Sequence, residues 1–180
     1  MATRLKPPVN EKDHIKGTPD APIELVEFGD YQCPHCAAAY PILKAIERAY
    51  GKDLKFVFRH FPLSEIHQYA QAAAIAAEAA GQQGKFWQMH DIIFERQPEL
   101  SVGSLLDFAE ELGLNMMKLK KDMTDKTIVG KIEADFESGV RSGVNGTPSF
   151  FINGHKYNGV YDFDSLAAAI ETLISEGRHR

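Results

Sequence analysis

The sequence predicts an α/β fold in which a mixed central sheet, flanked by helices, is interrupted by an all-helical insertion. Three observations support this prediction. Two strand-like segments, 23–28 and 54–61, enclose a helical pattern over residues 34–50; a long stretch of helical periodicity follows; and a hairpin signal appears only near the end of the chain. A strand, a helix and a strand of these lengths form a right-handed parallel crossover, so the first two strands should be neighbours in one sheet.

The first half of the predicted sheet comes from residues 21–62. Ile23–Phe28 is apolar on both faces, which is typical of a central parallel strand. Leu54–Phe61 alternates apolar and polar residues and is closed by Pro62, which predicts a second strand. The polar, proline-containing residues 1–20 are predicted to form an extended arm that leads into the fold.

Residues 63–143 are predicted to form a helical insertion, and residues 144–180 return to the sheet-containing domain. The helices predicted in the insertion are 69–80, 85–95, 104–112, 116–123 and 127–142. Their apolar stripes are expected to be core. Asn153-Gly154 is a strong signal for a two-residue hairpin turn, which pairs strands 148–152 and 155–158. A final amphipathic helix is predicted over 163–175.

Composition excludes several classes of protein. The chain has 180 residues, 44% of them hydrophobic, and a net charge of −5, which argues against nucleic-acid binding. No apolar run reaches the roughly 18 residues that a membrane span needs. Met1–Pro8 lacks the apolar core of a secretory leader, so a cytoplasmic protein is predicted; a processed form of an exported protein would look the same. We expect a monomer without a cofactor or a bound metal.

Cys33 and Cys36 are the only cysteines, and they lie at the predicted start of a helix. Residues three apart share a face of the first turn, which allows a disulfide to close. Unpaired backbone N–H groups and the helix dipole favour a thiolate at Cys33, Pro34 suits the first helical position, and a protonated His35 would add a positive charge. Such cysteines have pKa values of roughly 3.5–7.5. Cys36, one turn further in, suits a resolving role.

Other interpretations of the pair remain open. A static disulfide closing so short a loop would restrict the unfolded chain little. Zinc or copper handling would need further ligands, and no second cysteine pair or suitably spaced histidine pair is present. Glu27 has two interpretations: a solvent-facing carboxylate at a strand edge, or a buried acid behind the cysteines that accepts their protons.

Cys33-Pro34-His35-Cys36 after a strand, with Gly146-Thr147-Pro148 ahead of a hairpin, resembles the thioredoxin superfamily, and the insertion resembles its DsbA-like branch. The resemblance covers about residues 20–176. It implies a thiol-disulfide oxidoreductase that acts on protein or peptide thiols and disulfides and is recycled by a further redox partner.

The resemblance also implies roles for individual residues. Cys33 would be the attacking, surface-facing cysteine and Cys36 the buried partner. Thr147-Pro148, with Gly146, would be a cis-proline loop that pairs with an extended client. Glu27 would be the buried acid. DsbA proteins usually carry valine where this chain has Thr147, so the direction of exchange stays open. Alternatives are a metal-handling protein, a redox-inactive peptide-binding module and a glutathione-dependent transferase.

Overall fold

The computed structural model describes residues 3–180, and its centre is a five-stranded mixed sheet. In chain order the strands are β1 (His14–Gly17), β2 (Ile23–Gly29), β3 (Leu54–His60), β4 (Ser149–Ile152) and β5 (His155–Tyr157). Their order across the sheet is β1-β3-β2-β4-β5. β2 and β3 pair in parallel, and the other neighbours pair antiparallel. The predicted α/β class with a mixed sheet is confirmed.

Seven helices lie in the described part of the chain. They are α1 (Pro34–Tyr50), α2 (Ala70–Gly81), α3 (Phe86–Glu95), α4 (Val102–Glu111), α5 (Met116–Asp122), α6 (Lys126–Arg141) and α7 (Phe163–Arg178). Short 3₁₀ turns occupy Gly51–Asp53 and Gln97–Glu99. The helices predicted from apolar periodicity are present within a few residues of their expected bounds, and α2 to α6 lie consecutively between β3 and β4.

The central strands β2 and β3 are buried on both faces because helices and the insertion cover the sheet. Alternate residues of β2 belong to different clusters: Leu25 packs with α1 and the insertion, whereas Val26 and Phe28 pack on the opposite face. The parallel pairing places Gly29 opposite His60. The residues that follow β2 and β3 therefore meet at one edge of the sheet, and that edge carries the cysteines.

Part of the segment predicted as an extended arm is instead an edge strand. β1 pairs antiparallel with β3 along His14–Gly17. A second anchor is Arg59, which is 2% exposed. Its guanidinium donates hydrogen bonds to both carboxylate oxygens of Asp13, at 2.8 and 2.9 Å, and to the carbonyls of Pro7 and Pro8. Four residues, two of them polar, are too few to show a strand pattern in the sequence. Pairing with β3 makes this segment a strand.

Within residues 3–180, none of the helices combines the length and the apolar character that crossing a bilayer requires.

Candidate active site

The loop after β2 is shaped by Asp30, which is completely buried. Its side chain accepts a hydrogen bond from the Gln32 N–H at 2.8 Å, and its carbonyl accepts one from the Cys33 N–H at 3.1 Å. These contacts turn the chain so that Cys33, in extended conformation, is the N-cap of α1 and Pro34 is its first residue. Pro34 suits this position because the first N–H groups of a helix have no partner within the helix, so its missing N–H removes no helical hydrogen bond.

Both cysteines are free thiols and are adjacent in space. Cys36 is fully buried, and its Sγ lies 3.5 Å from the donating N–H of Asp30. Cys33 is only 4% exposed, less than a surface-facing cysteine would be. The reason is tertiary: a loop from the far end of the chain packs over it, and Cys33 Sγ lies 3.6 Å from the carbonyl oxygen of Thr147.

The surroundings of Cys33 stabilise its thiolate. The pKa of Cys33 is lowered to about 5, first by a hydrogen bond from the Cys36 side chain. The backbone N–H groups of Cys36 and His35 lower this pKa further, while burial acts in the opposite direction. The free N–H groups of the first helical turn therefore act on the sulfur as expected for an N-terminal position.

Cys36 has the opposite electrostatics although it lies only one turn away. Burial raises its pKa far above the ordinary range of a thiol, and the interactions with Cys33 and Glu27 raise it further. The pair therefore holds one proton and one negative charge, with the charge at Cys33. This asymmetry is what a nucleophile and its resolving partner require.

Pro34 and His35 are both exposed, on the tip of α1 beside the buried pair. The exposure of His35 places its ring at the rim of the site. Its backbone N–H is the part of His35 that lowers the pKa of Cys33.

The loop Gly146-Thr147-Pro148 lies across the cysteines because β4, which follows it, pairs antiparallel with β2 and places Ser149 opposite Phe28. The Thr147–Pro148 peptide bond is cis. All three loop residues are partly exposed. The Gly146 carbonyl accepts a hydrogen bond from Ser149 Oγ at 2.7 Å. Thr147 Oγ1 is buried and has no hydrogen-bond partner within residues 3–180.

Glu27 lies in the middle of β2 and is 1% exposed, so its side chain is buried and does not face solvent. Strand register places it between Phe58 on β3 and Phe150 on β4. Its Oε1 has no hydrogen-bond partner in the described chain. Burial is the first cause that raises the pKa of Glu27 to about 8, and the negative charge of Cys33 is the second. The carboxyl is therefore electrostatically linked to the thiol pair.

Two further residues shape the site and were not found from the sequence. Asp30 organises the loop, as described above. Gln97, from the insertion, donates from Nε2 to the carbonyls of Tyr31 at 2.8 Å and Cys33 at 2.9 Å. A buried Asp directly after a strand is a weak signal that sequence analysis can use, whereas nothing local marks a glutamine that lies more than sixty residues away.

The alternative of a metal-handling protein would require a set of ligands around the cysteines. No group of three or more His, Cys, Asp or Glu within residues 3–180 is arranged to hold a metal ion.

Comparison with known proteins identifies the family. A family model described as thioredoxin matches residues 9–172. The chain belongs to the thioredoxin family. Among solved structures, oxidised BdbD from Bacillus subtilis is 26% identical with a TM-score of 0.85, and the match covers 97% of this chain and 98% of that one. A thioredoxin-like oxidoreductase from Silicibacter pomeroyi is also 26% identical, with a TM-score of 0.79 and 95% of each chain covered.

A more distant structure shares the fold. Wolbachia pipientis alpha-DsbA1 is 22% identical with a TM-score of 0.85, and 98% of this chain and 97% of that one are covered. Together with the family match and the two structures that are 26% identical, these findings confirm the predicted resemblance to DsbA-like thiol-disulfide oxidoreductases, the thioredoxin-like fold and the enzyme class of oxidoreductases.

Curated relatives carry a different name. A protein from Salinispora tropica named Na(+)/H(+) antiporter NhaA 3 is 39% identical over 94% of this chain, and one from Herminiimonas arsenicoxydans, named Na(+)/H(+) antiporter NhaA, is 39% identical over 93%. The chain spans about a quarter of the length of these relatives, 26% and 27%. Their name therefore describes proteins of which this chain matches one part.

Proposed function

We propose that the chain exchanges disulfides with protein or peptide clients through Cys33 and Cys36. The observation that carries the proposal is the opposite electrostatics of the two thiols: the pKa of Cys33 is lowered to about 5, and that of buried Cys36 is raised. At neutral pH the dithiol form holds a thiolate at Cys33 and a protonated Cys36. A thiolate, rather than a thiol, is the attacking species in exchange.

The oxidising direction starts from the Cys33–Cys36 disulfide. A client thiolate attacks Cys33 Sγ, a bond forms between the two sulfurs, and the Cys33–Cys36 bond breaks with its electron pair on Cys36. The second client thiolate then attacks the client sulfur that is bonded to Cys33, and Cys33 leaves as a thiolate. The client is oxidised by two electrons, and the pair is reduced by two. The low pKa of Cys33 favours this direction because it makes Cys33 a good leaving group.

In the reducing direction Cys36 must lose its proton to attack the mixed disulfide on Cys33. Glu27 is proposed as the acceptor of that proton, because its own pKa of about 8 and its interaction with Cys36 suit the exchange of a proton near neutral pH. His35, at the rim, is proposed to favour the Cys33 thiolate, and Pro34 to fix the start of the helix.

The loop Gly146-Thr147-Pro148 is proposed to hold the client backbone in an extended conformation beside Cys33. The contact between Cys33 Sγ and the Thr147 carbonyl supports this, since a client sulfur bound to Cys33 would lie next to the same backbone. The unsatisfied Thr147 Oγ1 is a further polar group that a client or the thiolate can use. Antiporter activity is not part of this proposal, because the chain spans only about a quarter of those relatives.

The test uses the two single-cysteine variants and the wild-type protein. Cys33→Ser should abolish the reduction of insulin disulfides, and Cys36→Ser should retain the first attack but accumulate mixed disulfides that mass spectrometry detects. Iodoacetamide at neutral pH should label Cys33 far faster than Cys36. Faster labelling of Cys36, or insulin reduction that survives in Cys33→Ser, would contradict the proposal. The equilibrium potential against glutathione then gives the direction, since about 30 mV changes the equilibrium constant tenfold.

A further inference from the structure

A groove lies between the segment after β3 and helix α6, outside the cysteine site. Its volume is about 570 Å³, within the size range of binding pockets, and its lining is mainly apolar. The floor is rigid, because Phe136 of α6 stacks on Phe61 with ring centroids 4.3 Å apart and Ile132 is buried beside it. At the rim, Ile66 is 72% exposed, an unusual position for a large aliphatic side chain next to an apolar groove.

The groove is surrounded by negative charge. Glu65, Glu133 and Glu137 line it and are exposed. None of the ion pairs within residues 3–180 includes these carboxylates. Lys131, on the same helix, does not offset them, because its ammonium pairs with Asp135 at 2.6 Å. An apolar floor under free carboxylates is complementary to an apolar side chain with a cation beside it.

Asp30 contacts both the groove wall and the cysteine site. One carboxylate oxygen of Asp30 accepts a hydrogen bond from the Leu63 N–H at 2.9 Å and contacts His67 Nδ1 at 2.8 Å. The carbonyl of the same residue accepts the N–H of Cys33. The groove wall and the start of α1 are therefore both fixed to one residue at one edge of the sheet.

We propose that this groove binds a flexible segment of a client polypeptide in which an apolar side chain stands next to a lysine or arginine. The proposal rests on the exchange function proposed above and adds its client preference: an apolar and basic sequence close to the reacting cysteine. The client would be held at two places, by its sulfur at Cys33 and by this segment. Two linked contacts bind more tightly than either alone.

The test measures how fast the oxidised wild-type protein reacts with short peptides that contain one cysteine and, a few residues away, a Leu-Lys, Leu-Glu or Ser-Lys pair. Each rate is divided by the rate with dithiothreitol. The Leu-Lys peptide should react about fivefold faster than the Leu-Glu peptide at low salt, as expected for exposed charge pairs, and the difference should shrink in molar salt. The Ser-Lys peptide should be slower than Leu-Lys.

Variants locate the effect. Glu133→Lys combined with Glu137→Lys should remove the preference for Leu-Lys, and Ile66→Ser should reduce it. The matched control combines Glu110→Lys with Glu176→Lys, two exposed carboxylates outside the groove that change the net charge equally, and it should keep the preference.

Equal normalised rates for all peptides, or equal loss in the control variant, would overturn the proposal. So would a wild-type dimer in sedimentation that Ile66→Ser dissociates, because a second copy would then occupy the groove. A protein that does not react with dithiothreitol at all contradicts the exchange function itself, which keeps the two failures separate.

Discussion

Two buried glutamates in different regions of the molecule have opposite electrostatics. Glu27 lies on β2 under the cysteines and is 1% exposed; Glu78 lies on α2 of the insertion, where it faces the sheet, and is 5% exposed. Burial acts to raise the pKa of both. It raises that of Glu27 to about 8, whereas at Glu78 the side chains of His14 and His60 outweigh burial and hold the pKa well below its usual range.

The difference is made by partners, since the burial of the two carboxyls is nearly equal. The His14 imidazole hydrogen-bonds Glu78, and His60 Nε2 lies 3.6 Å from the same carboxylate. Glu27 has no comparable partner for Oε1 within residues 3–180, and the nearby charge of Cys33 is negative. An unpartnered buried acid stores a proton near neutral pH, whereas a partnered one is a fixed anion that joins β1, β3 and the insertion.

The largest expected effect comes from removing the carboxyl of Glu27. Its pKa is raised in the folded protein, so its contribution to stability is fully present below the unfolded pKa of about 4.5 and is lost as the pH rises toward 8. Glu27→Gln cannot ionise. We expect the free energy of unfolding of Glu27→Gln to be about 3 kcal/mol higher than that of the wild type at pH 7 and equal to it near pH 4. Urea denaturation of the reduced proteins across this range measures the difference.

The control for this variant is Glu24→Gln on the same strand, whose carboxylate pairs with Lys55 at 3.2 Å near the surface. It should change stability little, as surface ion pairs generally do. A Glu27→Gln protein that is less stable than wild type at pH 7 would show that Glu27 is ionised and partnered in the fold.

Glu78→Gln should have the opposite sign and a smaller effect. Because the pKa of Glu78 is lowered, its contribution is present above the unfolded value and is lost as the pH falls through the folded one. We expect Glu78→Gln to lower the free energy of unfolding by about 2 kcal/mol at pH 7, since it weakens the contacts to buried His60 and to His14. The loss should decrease below about pH 4, where Glu78 of the unfolded chain begins to be protonated while folded Glu78 is still ionised.

The measurement is again urea denaturation, with Glu110→Gln as an exposed matched control. An effect as small as that of the control would remove the distinction between the two buried acids.

The smallest effect expected is kinetic. If Glu27 accepts the proton of Cys36, Glu27→Gln should slow the release of a client from its mixed disulfide with Cys33 by about tenfold at pH 7, less than the roughly hundredfold or more that is typical of general base catalysis. The wild-type release rate should rise with an inflection at the pKa of Glu27, which burial still raises although Cys33 carries no charge in the mixed disulfide, and the variant should lack this inflection. Acid-quenched single-turnover reactions analysed by mass spectrometry provide both rates. An unchanged pH profile would limit Glu27 to a structural role.

The helices and central strands were predicted well because their signals are local. The helical period over α1 and the mixed apolar character of β2 and β3 suffice, and Asn153-Gly154 forms the expected turn with positive φ at both residues, 48° and 83°. Strand β1 was missed because four residues carry too little pattern; its pairing with β3 decides its conformation. The assignment of residues 21–62 and 144–180 to one domain, interrupted by an insertion over 63–143, stays a prediction.

The site shows the same division. The spacing of Cys33 and Cys36 and the position of Pro34 predicted a helix start with two adjacent thiols. Sequence alone left two interpretations of Glu27, because a carboxylate in a strand can face either side; the pairing of β2 with β3 and β4 is what buries it.

The sequence by itself determined that two thiols stand one helical turn apart at a strand's end, since spacing and helix geometry are local properties. Only the tertiary structure decided how each thiol behaves. A loop more than a hundred residues away in the sequence covers Cys33, and Cys36 is buried in the core. Asp30 contacts both cysteines and also Leu63 in the wall of the acidic groove. Burial and electrostatics depend on what surrounds a group in space, and chain position does not state that.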